Sequence, residues 1–230
     1  MKKKIFIGVA LVSLFSILGI NSISVKADSS SLTTDGTVSF DKNDGSEVIP
    51  VNPTDPTKPV DPTNPTELDN KENPDKGQLA LVVAPSKFNF GAHKVNPAGG
   101  TYKAIPQNKA KDSLYYLQVS DLRDAGINGW SVSVKQDSPL IEGSTLTIPA
   151  GTAKNSIDTN ATGLTSKAVA LTDNNEATVF SADKSLEAGK GQSVSSWKVD
   201  DVSFTTVANT EVEGAYTNTL TWTLTASAVN

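Results

Sequence analysis

TNTLTWTLTASAVN, residues 217–230, alternates apolar and hydroxyl side chains with a period of two. Leu220, Trp222, Leu224, Ala226 and Ala228 fall on one side; Thr219, Thr221, Thr223, Thr225 and Ser227 fall on the other. That period belongs to a half-buried strand, and Thr, Leu and Trp suit a pleated surface. A frayed tail would be polar and aperiodic, so the terminal stretch is expected to be part of the domain.

Working back from it, the same texture extends to about Leu79. Strands are expected at LALVVAP (79–85), FNFG (88–91), SLYYLQVSD (113–121), GWSVSVKQ (129–136), STLTIPA (144–150), AVALTD (168–173), ATVFSA (177–182) and SSWKVDDVSFTTV (195–207). Gly, Asn and Asp separate them, a spacing that predicts an all-β fold, a single β-sandwich-like domain over residues 79–230. A block of 152 residues can bury roughly 70% of its unfolded surface. Residues 151–167 (GTAKNSIDTNATGLTSK) are read as a surface loop, and DLRDAG (121–126) allows at most a helical turn.

The other end has a different texture. Lys2, Lys3 and Lys4 precede an uncharged, mostly apolar run from Ile5 to Ile20, and Val25-Lys26-Ala27 places small residues where a signal peptidase cuts. Residues 1–27 are therefore read as a signal peptide; the 16-residue run is short for a membrane span. Removing it takes four lysines and leaves 16 basic against 25 acidic side chains, a net −9 over 203 residues. With Arg123 as its one arginine, such a chain is a poor partner for nucleic acid or for anionic membranes and wall polymers. No membrane insertion is expected once the signal is cut. The chain has no cysteine, so disulfides cannot replace a hydrophobic core, and no apolar span or basic tail follows Trp222.

Residues 28–49 are polar, and an extra strand is expected there because Val38 and Phe40 would otherwise be exposed. Residues 50–78 are read as a linker. Prolines at 50, 53, 56, 59, 62 and 65 match the three-residue turn of polyproline II, which at ~3.1 Å per residue gives a spacer of roughly 50 Å. Residues 66–78 continue it as charged, solvated chain.

Catalytic chemistry has little to work with. His93 is the one histidine, in a Gly, Asn and Pro-rich stretch, and reads as an exposed loop imidazole. Ser–His, Cys–His and zinc arrangements would all need it. The acids cluster in loops, DKNDGSE (41–47) misplaces the glycine of a calcium loop, and nothing resembles a phosphate-cradling glycine loop. No enzyme activity, cofactor or metal is expected.

Three tryptophans remain: Trp130, Trp197 and Trp222. An indole anchors a core well, and an exposed one stacks on sugars. GWSVSV (129–134) and, about ninety residues on, AYTNTLTWTLTASA (215–228) resemble the WxL domain of cell-surface proteins in low-GC Gram-positive bacteria. DGTVSF (35–40), the Pro-Asp-Pro run, LALVVAPSKFNFG (79–91) and TYKA (101–104) stand in the order found in small WxL proteins. Tyr216, Leu220, Trp222 and Leu224 carry the terminal motif; Val132 stands where the family has Leu. The resemblance implies non-covalent attachment to the cell wall, with peptidoglycan as receptor. It also implies complexes with a membrane-anchored WxL-interacting protein and with larger WxL proteins. Trp130, Val132, Trp222 and Leu224 are then the candidate wall-binding residues. The alternative is a structural subunit of a surface complex, attached indirectly through the membrane-anchored partner.

Overall fold

A computed structural model describes residue 32 and residues 34–60, 69–107 and 113–227. The expected signal peptide, residues 61–68 of the proline-rich run and the last three residues lie outside these. The chain divides into Met1–Phe40 and Asp41–Asn230. In the first unit the described residues form no strand, and Leu32, Val38 and Phe40 are exposed. The extra strand expected over residues 28–49 is therefore not formed by residues 34–49.

The second unit is all-β and sandwich-like. Its five-stranded sheet runs in the order β3 (Asn70–Glu72), β4 (Leu79–Pro85), β6 (Leu114–Asp121), β13 (Gly191–Lys198), β9 (Thr152–Asn155). A four-stranded sheet has the order β10 (Leu164–Ser166), β12 (Ala177–Ala182), β7 (Trp130–Gln136), β15 (Leu220–Ala226). The other four-stranded sheet has β11 (Val169–Leu171), β8 (Thr145–Ile148), β14 (Ser203–Thr205) and β5 (Thr101–Lys103). All pairings are antiparallel.

One core unites the sheets. Tyr115, Leu117 and Val119 from β6 join Trp130, Val132 and Val134 from β7, Phe180 from β12, and Leu146 and Ile148 from β8. Period-two alternation explains why β6, β7 and β8 each contribute every second residue. Tyr116 and Val194, on the opposite face of the five-stranded sheet, are also buried. They form a second cluster with Val48, Val51, Ala80, Val82 and Val83.

That second cluster corrects the spacer reading. Residues 51–59 do not extend as polyproline II; β1 (Val51–Asn52) and β2 (Asp55–Pro59) form a hairpin. The Asn52 carboxamide oxygen accepts from the Thr54 amide and hydroxyl, both at 2.8 Å, and local turns of this kind override a proline period. Gln118, wholly buried on β6, pins the segment. Its Oε1 accepts from the Val51 amide at 2.9 Å, and its Nε2 donates to the Ile49 carbonyl at 3.0 Å. The charged stretch 66–78 is not all solvated chain either, because β3 adds to β4 and Asp69 is buried.

Other differences are local. FNFG forms no strand, and the 151–167 loop contains both β9 and β10. The expected 195–207 strand is broken by a 3-10 turn, Val199–Asp201, which moves the chain from β13 to β14.

Candidate functional site

β15 places the terminal motif beside the earlier tryptophan motif. Leu220 lies opposite Gln136, Trp222 opposite Val134, Leu224 opposite Val132 and Ala226 opposite Trp130. Directly opposed residues share a face, so all four candidate residues lie on one side of this sheet.

Their depths differ. Trp130 is 1% exposed and meets Phe180 edge-on at 5.0 Å; Val132 is fully buried. Neither has surface to offer a ligand: they form the core behind the edge strand. Trp130 Nε1 is buried without a hydrogen-bond partner among the described residues, so packing is what the indole contributes. Trp222 and Leu224 are half-buried, since β15 is an edge strand with one neighbour.

Trp222 borders a groove of about 620 Å³. Its walls are Phe88, Phe90 and His93 after β4, Tyr102 on β5, Phe204 on β14, and Tyr216, Leu220 and Trp222 at the approach to and within β15. Phe90 and Phe204 lie 5.6 Å apart between ring centroids, Tyr102 stacks on Phe204 at 6.4 Å, and His93 lies against Tyr102 at 4.3 Å. His93 is exposed, as expected from sequence, and its Nε2 donates to the Phe90 carbonyl at 2.6 Å.

Glu211 holds this wall together. Its carboxylate accepts from the Thr206 hydroxyl and the Tyr102 hydroxyl, both at 2.6 Å, and from the Asn96 amide at 2.7 Å. These bonds, the Thr206 one foremost, with the nearby His93 charge, hold the Glu211 carboxyl below its usual range. The same hydrogen bond to Glu211 raises the Tyr102 phenol. An ionised Glu211 therefore fixes the Tyr102 ring as one side of the groove.

The other face of the sheet is a plate of hydroxyls. Thr221, Thr223 and Thr225 are exposed and lie opposite Lys135, Ser133 and Ser131. Thr178 and Ser181 of β12 continue the rows, and the Ser133 hydroxyl donates to Glu176.

A family model described as WxL domain, surface cell wall-binding, matches residues 27–227. The chain belongs to the WxL family. No curated protein and no solved structure matches it. In this WxL domain the two tryptophan motifs are adjacent strands of one sheet, and the family's association with the cell wall makes the chain a surface wall-binding protein. Among the described residues no group of three or more His, Cys, Asp or Glu could hold a metal ion, and no helix is long and apolar enough to cross a membrane.

Sequence reasoning did not find the groove. Phe88 and Phe90 were legible as a pair on one face, but Tyr102, Phe204 and Glu211 stand in three separate short segments. Lone aromatic residues in otherwise polar strands, TYK and SFT, were the only signal.

Proposed function

We propose that this WxL protein is exported by cleavage after Ala27 and binds peptidoglycan non-covalently through the aromatic groove beside β15. The observation that carries this reading is the groove itself. Its volume of about 620 Å³ suits a ligand of a few sugar or amino-acid units, within the ~300–1,000 Å³ usual for such sites. Five partly exposed aromatic side chains, Phe88, Phe90, Tyr102, Tyr216 and Trp222, offer faces on which sugar C–H groups pack, and Glu211 and His93 supply polar contacts. An acidic chain cannot hold an anionic wall by charge, so stacking and hydrogen bonding must supply the affinity. One such site binds weakly, and many copies on a continuous wall compensate through avidity. Complexes with a membrane-anchored WxL-interacting protein and larger WxL proteins, implied by the family resemblance, would gather those copies. The protein acts as a binder, not as a wall hydrolase.

The test is co-sedimentation with peptidoglycan stripped of teichoic acid. Wild type is expected in the pellet, while Trp222→Ala and Tyr102→Ala remain soluble and melt within a few degrees of it. Release of soluble sugar or peptide fragments would instead identify a hydrolase. Wild type left in the supernatant, but pelleted once the membrane-anchored partner is added, would establish indirect attachment.

A further inference from the structure

The open side of β15 carries a second message. Residues 219–225 read Thr-Leu-Thr-Trp-Thr-Leu-Thr, identical in both directions about Trp222. On one side β15 pairs with β7; among the described residues nothing pairs with the other. The ladder to β7 shows which backbone groups are spent. Asp137 N–H donates to the Thr219 carbonyl at one end, and Ser227 N–H to the Gly129 carbonyl at the other, each at 3.0 Å. The odd-numbered residues thus turn their backbone toward β7. By antiparallel alternation Leu220, Trp222, Leu224 and Ala226 turn theirs outward.

The sequence symmetry and the hydrogen-bond parity share one centre. We propose that β15 pairs antiparallel with β15 of a second copy, across a two-fold axis at Trp222. Trp222 then meets its own counterpart and Leu220 meets the partner's Leu224, both as hydrogen-bonded pairs. Thr221 meets the partner's Thr223 between them. Across residues 219–225 each apolar residue lies opposite an apolar one and each threonine opposite a threonine, and the two four-stranded sheets become one. The edge lacks the usual guards against such pairing: β15 contains no proline and no charge. Residues 214–230 form the longest uncharged stretch outside residues 5–25, so two acidic copies meet there with least repulsion.

Sedimentation equilibrium of the purified protein is expected to show a monomer–dimer equilibrium. Thr221→Glu with Thr223→Glu places like charges opposite each other twice across the axis and should give monomers. Thr221→Glu with Thr223→Lys places opposite charges there and should restore or tighten the dimer. Within one copy the first Glu faces Lys135 and the Lys approaches Glu176, so this variant keeps its fold. A cross-link removes dependence on the doubly acidic variant folding. Cysteines at 221 in one chain and 223 in another would lie about 4.5 Å apart between Cα atoms, within disulfide reach. The chain has no native cysteine, so oxidising the mixture should give a covalent dimer, and either chain alone far less. A wild type monomeric throughout, a Glu/Lys variant as monomeric as the Glu/Glu one, or equal cross-linking of the single chains and the mixture overturns the proposal. A monomer whose edge accepts a foreign strand does so as well.

Discussion

Gly189 shows how tightly the motif tryptophan is seated. It adopts φ 82°, and a Cβ there would lie 2.6 Å from Ala182 Cβ and 2.7 Å from Trp130 Nε1. Gly189→Ala therefore combines a left-handed backbone with a clash against a close-packed indole. A loss of ~1–3 kcal/mol is expected, read as a lower urea midpoint at unchanged slope. Trp130→Ala removes the indole itself and is expected to cost ~3–5 kcal/mol, unfolding much of the population. Trp222→Ala, half-buried on an edge, should cost clearly less, and comparison of the two midpoints checks the assignment of one to core and one to groove. At this scale the sequence was half legible. Both tryptophans were recognisable as strand residues of one face, but alternation gives the face and not the depth. Depth depends on what the fold lays over that face.

Elements are held in register by polar groups at strand ends. Asp121, at the end of β6 with its side chain fully buried, receives Arg123 Nε at 2.9 Å and a second guanidinium nitrogen at 2.8 Å. Lys190 Nζ approaches it at 3.3 Å and donates to the Ile127 carbonyl at 2.7 Å. The single arginine thus serves the turn that delivers Trp130 into β7, also donating to the Gly129 carbonyl. Asp121→Ala leaves two cations near a buried site, and a loss of ~3–5 kcal/mol is expected in chemical denaturation. Asp137 does the corresponding work for β15, accepting from the Thr219 amide at 2.9 Å and the Ser138 amide at 2.7 Å. Those bonds, the Thr219 one foremost, depress its pKa below 3.8. A depressed carboxyl contributes stability that is present above its unfolded value and is lost as pH falls through the folded one. Melting temperature should therefore fall as pH drops below about 4, and less steeply in Asp137→Asn. Glu211, Asp44, Asp158 and Asp183 are depressed in the same direction, so one substitution removes only part of the slope. β4 and β12 were read from sequence with their observed bounds because each is bounded by turn residues. β9 and β10 were missed because Thr152–Asn155 and Leu164–Ser166 have too few apolar residues to show a period. They are strands because β13 and β12 offer them unpaired backbone.

For the whole molecule, residues 48–59 are a covering layer where a spacer was expected. Val48 and Val51 close over Val82, Tyr116 and Val194, and buried Gln118 has its amide satisfied by that segment and by Gln192. A chain beginning at residue 66 should lose ~1.5–3 kcal/mol for each uncovered valine and ~1–3 kcal/mol for the orphaned carboxamide. A pure spacer predicts no change, so the denaturation midpoint of the shortened chain separates the two. The sequence by itself determined the all-β class, the large central strands and the family, because alternation and the tryptophan motifs are local patterns carried by neighbouring residues. Only the tertiary structure decided that residues 48–59 belong to the fold, that Trp130 is core while Trp222 borders a groove, and that Tyr102, Phe204 and Glu211 meet there. The physical reason is the same in each case. Burial and site assembly are set by contacts between residues distant in the chain, such as Val51 with Gln118, Glu211 with Tyr102 and Trp222 with Val134. No local period encodes those distances.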